Sequence, residues 1–213
     1  MQVAAYTNSG AALPARLTEE SIQTWVNATD RELYPLPNTW YETVLSRAPQ
    51  QNHSLSVAGG NETIRARLSG RYMDQDGIAP SFKDKLTEFK LNTDIKASER
   101  ISFSADINYR VNNSQVPTID PFQTILHGSL WAVPKYSDGT YGLSSQGNNP
   151  LMFAEIGGLS TLNNEFLVGS GKGEIEVIEG LKFSTQFAVR ANNNHAKNFT
   201  NAYTNRDKNT GIT

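Results

Sequence analysis

The chain has no cysteine in 213 residues, which excludes disulfides and thiolate metal sites and leaves the compartment open. It has no run of about 18 consecutive apolar residues, so no transmembrane helix is expected. Strands cross a membrane with only about 9–11 residues of alternating character and escape that test. It also lacks an excess of either charge. Nineteen basic and 21 acidic side chains nearly cancel, and no basic stripe with interleaved aromatics is present to follow a nucleic-acid backbone. Nucleic acid is therefore not expected as a partner. Apolar residues are sparse, at 38%, while Asn, Ser, Thr and Gly are abundant, the composition of polar turns and half-wet strands. The first residues, Met1-Gln2-Val3-Ala4-Ala5-Tyr6, lack the basic and apolar segments of a secretory signal, which implies either a protein that stays inside or a start that is not the true one.

What the sequence does have is alternation. From Ile101 to Val111 apolar residues hold every odd position, and Ser102, Ser104, Asp106, Asn108 and Arg110 hold the even ones. Such a strand has one apolar and one wet face. The pattern recurs at Leu55 and Val57, at Ile64 to Tyr72 against Arg65, Arg67, Ser69 and Arg71, and at Phe89 to Ile95. It returns at Leu167 to Val177 and at Leu181 to Val189. Six strands are expected, with short joints at 59–61, 96–100 and 178–180 and long joints after the second and fourth. A Pro- and Gly-rich irregular stretch is expected over about 113–164, and an Asn-rich tail after about 190.

Residues 1 to 50 read differently, as a connecting segment with two short helices. Thr18 caps a helix over about 18–27, with Glu19 and Glu20 in its first turn and Leu17 stapled on Ile22. Thr39 and Glu42 have capping-box spacing ahead of a one- or two-turn helix that ends before Pro49. The fold class is thus all-β, antiparallel, with a short helical N-terminal segment.

Two burial partners suit such strands. With short joints on one side of the sheet and long ones on the other, the arrangement is that of a membrane-spanning barrel. A soluble β-sandwich, for instance a carbohydrate-binding module, alternates in the same way over a second sheet, and pattern alone puts that commoner class first.

No motif argues for an enzyme. Asp74, Asp76 and Gly77 lack the remaining ligands of a calcium loop and read as a turn. Gly169-Ser170-Gly171-Lys172-Gly173 lacks the spacer and hydroxyl residue of a phosphate loop and lies in a strand. His53, His127 and His195 have no metal-ligand spacing, no Gly-x-Ser-x-Gly elbow occurs, and no cofactor is implied.

The stretch Asn38-Thr39-Trp40-Tyr41-Glu42, followed by Ala48-Pro49-Gln50-Gln51-Asn52-His53-Ser54-Leu55-Ser56-Val57-Ala58-Gly59-Gly60-Asn61, resembles the SusC/RagA family of TonB-linked outer-membrane transporters. The resemblance continues through Gly70-Arg71-Tyr72-Met73-Asp74-Gln75-Asp76-Gly77-Ile78, Asn149-Pro150-Leu151 and Ile178-Glu179-Gly180-Leu181-Lys182-Phe183, covering about residues 16 to 190. It reverses the order of the two readings. It implies a partial transmembrane β-barrel from the front of a longer barrel, without the plug, in the outer membrane. Residues 51–213 would supply strands and about 113–164 a long outer loop. It further implies uptake of oligosaccharides or peptides, a SusD-like surface lipoprotein as lid, TonB acting through the plug, and outer-membrane lipid around the wall. Arg65, Arg67 and Arg71 would then face the lumen, toward substrate or toward plug carboxylates. Trp131, Tyr136 and Tyr141 would lie in the outer loop, stacking on substrate, packing on the lid or anchoring the loop itself.

Overall fold

The computed structural model describes residues 6, 8–12, 14, 18–37, 39–144 and 147–208. Its elements are α1 (Glu19–Asn27), α2 (Trp40–Val44), β1 (Gln50–Gly60), β2 (Ile64–Asp76), β3 (Lys83–Lys96), β4 (Ile101–Pro117), α3 (Pro121–His127), β5 (Tyr141–Gly142), α4 (Pro150–Ile156), β6 (Gly158–Ile178), β7 (Leu181–Thr200) and β8 (Asn205–Arg206). Six of the strands form one antiparallel sheet in the order β1-β2-β3-β4-β6-β7, and β5 pairs with β8 in a small parallel ladder. No helix among the described residues is long and apolar enough to cross a membrane.

Register puts every apolar run on one face. Val57, Leu68, Leu91, Ile107, Gly169 and Val189 form one continuous row across the sheet. Phe103, Ile107, Phe183 and Phe187 lie on this face and are 50%, 45%, 63% and 76% exposed. A sandwich would bury these four rings and side chains under a second sheet. Nothing covers them, and the soluble-sandwich reading fails on that observation. The apolar band on β4 runs from Ile101 to Val111, roughly 34 Å along the strand at about 3.4 Å per residue, or about 25 Å of bilayer at a tilt of about 40°. That matches the hydrocarbon band of an outer-membrane barrel. Beyond the band the same face turns polar, with Asp74 ion-paired to Lys85 at 3.2 Å and Asp76 to Lys83 at 3.6 Å.

Short turns close one end of the sheet. Asn61 accepts from the backbone N–H groups of Thr63 and Ile64, each at 2.8 Å, and Gly60 precedes it because a Cβ there would meet the Ile64 carbonyl at 2.3 Å. Gly180 takes φ +83 in the β6–β7 hairpin, a conformation L-residues resist. At the other end, β2 and β3 are joined by 77–82 and β4 and β6 by 118–157.

Three expectations are corrected here. The β2–β3 joint is short, because both strands continue through the charged pairs just described. The irregular stretch is also shorter than 113–164, since β4 extends to Pro117 and β6 starts at Gly158. Residues such as Asn112, Asn113, Asn163 and Asn164 are polar on both faces, so alternation vanishes while the ladder persists. For the same reason the Asn-rich tail is the second half of β7, as far as Thr200.

Thr18 caps α1, accepting from Ser21 N–H at 3.3 Å, whereas the Leu17 staple lies outside the described residues. Contacts divide the chain into two compact units. One is the sheet with its stems, within 44–122 and 153–203; the other gathers the described parts of 1–43, 123–152 and 204–213. The second has a small packed core of Trp40, Ile125, Ala132, Tyr136, Tyr141 and Met152. Asn149 is fully buried there, capping α4 by accepting from Met152 N–H at 3.0 Å and donating to the carbonyls of Pro134 and Gly142 at 2.8 Å each, with Pro150 at the first helical position. Asn149→Ala removes the cap and the side-chain donations to both carbonyls, of which Pro134 O keeps only a long bond from Gly142 N–H at 3.4 Å. A loss of about 2 kcal/mol is expected in denaturant unfolding, and Asn149→Asp should retain the cap while losing the donations.

Candidate functional site

The face opposite the apolar band is a charged wall. Arg65, Arg67 and Arg71 share it, opposite Asp94, Asn92 and Glu88 of β3 in register. Arg65 and Arg67 both line a hollow of about 810 Å³ with Ala58, Asn92 and Asp94. Arg65 also lines a neighbouring one of about 470 Å³ with Lys96, Arg100, Lys172 and Glu174. Arg71 is apart from both, its Nε donating to Asn52 Oδ1 at 3.1 Å. Much of this wall is internally paired. Glu174 bridges Lys172 at 3.1 Å and Lys182 at 3.5 Å, and Asn92 donates to Asp106 at 2.6 Å. The arrangement offers polar contacts to a solute moving along the face, with no nucleophile or general base set apart for chemistry. Among the described residues no group of three or more His, Cys, Asp or Glu side chains is placed to hold a metal ion.

Farther along the same face lies a group that alternation alone did not single out. Arg110 of β4 stands directly opposite Phe166 of β6, with its Cζ 5.3 Å from the ring centroid, and Arg190 of β7 approaches the same ring at 4.9 Å. Asn108 and Asn112 flank Arg110 on β4, and Asn164 faces Asn112 across the ladder. The signal in the sequence was Phe166 on the wet side of its strand, aligned with arginines only once the register is known.

In the second unit the aromatic candidates separate. Tyr136 and Tyr141 are each 6% exposed. The Tyr136 hydroxyl donates to Arg206 O and accepts from Lys208 N–H, both at 3.3 Å, while the Lys208 ammonium lies 4.5 Å from the ring centroid. Lys135 sits 4.8 Å over the Tyr141 ring. Their surfaces are taken up by their own chain, which makes them anchors of the loop. Trp131 is 53% exposed and meets Trp25 edge-on at 5.8 Å.

Ion pairs fasten this region. Lys208 donates to Glu32, and Arg206 to Asp138. The Lys208 ammonium, then the Ser137 N–H at 2.5 Å, hold the Glu32 carboxyl down from 4.5 to about 2. Thr140, through its hydroxyl and N–H, and then Arg206 keep Asp138 below the usual carboxylate range. A depressed carboxyl stabilises the folded state fully above its unfolded value and loses that contribution as pH falls through the folded one. The Glu32 tie is therefore expected to be complete above about pH 4.5 and to fade as the pH approaches 2. Proton-exchange protection of the Ser137 amide should follow that course, and Glu32→Gln should abolish the dependence.

A single antiparallel sheet with a bilayer-matched apolar face and a charged opposite face defines the class as the wall of a transmembrane β-barrel. The chain is similar, at 27% identity over 174 residues, to the TonB-dependent receptor P26 of Formosa agariphila, a match covering 76% of this chain and 16% of that protein. Its fold matches the RagAB peptide importer in the closed-closed state with TM-score 0.67 and 17% identity, covering 95% of this chain and 26% of that one. For the open-open state the TM-score is 0.68 at 16% identity, with 97% and 27% covered. No family model matches. The chain thus spans a small part of the length of each relative. In sequence it is similar to part of a TonB-dependent receptor, and in fold to part of the RagAB importer.

Proposed function

We propose that this chain forms part of the wall of an outer-membrane, TonB-dependent transporter that takes up oligosaccharides or peptides. The observation that carries the reading is the exposed apolar face, one bilayer thick, backed by a charged face in the same sheet. Closed into a barrel, the strands satisfy every backbone hydrogen bond in lipid. In this reading the charged face, with Arg65, Arg67 and Arg71, lines the passage. The short turns at 61–63, 97–100 and 179–180 face the periplasm, and 118–157 lies outside, where Trp131 meets substrate or a SusD-like lipoprotein lid. TonB supplies energy through a plug, as the resemblance implies. The wall itself binds and guides, and no covalent step is asked of it.

Uptake of fluorescent oligosaccharide and peptide pools by cells with and without the gene, in a strain with and without functional TonB, tests this. Gene- and TonB-dependent accumulation of one pool is expected. Uptake unchanged by either deletion would contradict the reading.

A further inference from the structure

Among the polar atoms of the sheet, Asn108 Oδ1, Asn112 Oδ1 and Asn164 Oδ1 are buried and have no hydrogen-bond partner. Buried amide oxygens are nearly always satisfied, so three unpaired ones in one patch set it apart from the rest of the sheet. All three lie on the charged face around Phe166, where Arg110 and Arg190 converge. Both guanidinium centres are near one ring, so they are within about 10 Å of each other, roughly the screening length at 0.1 M salt. Neither makes an ion pair with a carboxylate among the described residues. Glu88, opposite Arg110 in register, is engaged by Lys90 at 3.1 Å. This differs from the Lys172–Glu174–Lys182 group, whose charges are met inside the sheet.

We propose that Arg110, Arg190, Asn112 and Asn164 form a binding site for a carboxylate-bearing solute, a step that rests on the transporter reading and names the charge of its substrate. Contact with the Phe166 ring holds the two guanidinium groups in place and leaves N–H groups free to donate. A carboxylate takes two parallel N–H bonds from such a group. The Asn112 and Asn164 side-chain amides place further N–H donors beside the guanidinium groups. A uronic-acid oligosaccharide and an acidic peptide both carry that chemistry.

The test is equilibrium binding to the purified full-length protein of four fluorescent probes: an oligogalacturonate, its neutral methyl ester, a glutamate-containing peptide and its glutamine counterpart. One acidic probe should bind at least about tenfold tighter than its neutral match, and which one identifies the source of the carboxylate. In Arg110→Gln with Arg190→Gln that preference should fall below about twofold, while Arg110→Lys keeps part of it and Phe166→Leu weakens it. The proposal is overturned if neither acidic probe is preferred, or if the double variant weakens acidic and neutral probes equally. Import by cells separates the two readings. Acid preference in the purified protein without import of any probe would sink the transporter reading alone, and import without acid preference would sink this site alone.

Discussion

Trp40→Ala is expected to destabilise the helical unit by about 3–5 kcal/mol, the range for removing a fully buried large aromatic. Trp40 is 1% exposed, and its indole N–H donates to the Ser129 carbonyl at 3.0 Å. Gly128 lies so close that a Cβ there would come within 2.5 Å of Nε1, so backbone and ring are fitted to one another. Truncation opens a cavity where neighbours cannot collapse without moving the 128–129 backbone, and it also removes one of the two hydrogen bonds to the Ser129 carbonyl, which keeps the one from Ala132 N–H. Hydrogen exchange across 121–142 should accelerate sharply. Tyr41→Ala, next in sequence but 54% exposed, is the control and should change stability by less than about 0.5 kcal/mol.

Phe187→Arg carries the second large effect. Phe187 sits on β7 between Thr185 and Val189 on the apolar face, in a row with Gly171 and Ala105, well inside the band. A cation at the middle of the lipid face of a barrel costs about 2–4 kcal/mol, falling toward zero near the interfaces. Urea-dependent folding into phospholipid vesicles should show that loss. Gln186→Arg, one residue away and on the charged face, should be close to neutral. Equal penalties at both positions would mean that the two faces do not differ in environment.

The alternation at 101–111 and 181–189 was enough to define the strands, their faces and the short turns, because period two persists wherever one face meets an apolar medium. It was blind to strand length. Residues 112–117, 158–166 and 191–200 lie beyond the band, where neither face is apolar, and only the ladder of backbone hydrogen bonds keeps them extended. α1 and α2 were announced by Thr18 and Thr39; the Thr18 cap forms, whereas Thr39 Oγ1 donates to the Glu42 carboxylate at 2.7 Å in place of accepting a backbone N–H. α3 and α4 were missed although Asp120-Pro121 and Asn149-Pro150 carry the signal of a capping side chain followed by proline at the first helical position. Asp120 Oδ1 does accept from Phe122 N–H at 2.8 Å. The arginine–phenylalanine group escaped notice because its members come from three strands, and register alone brings them together.

The absence of native cysteine makes the central claim directly measurable. Phe103→Cys, Ile107→Cys, Ser104→Cys and Asp106→Cys, each carrying a nitroxide label in the bilayer-inserted chain, report lipid or water contact through relaxation by oxygen and by a water-soluble nickel complex. Labels at 103 and 107 are predicted to respond to oxygen and to be shielded from nickel, with 104 and 106 showing the reverse. Labels at 103 and 107 protected from both, as under a second sheet, or as open to nickel as their neighbours, would contradict the account.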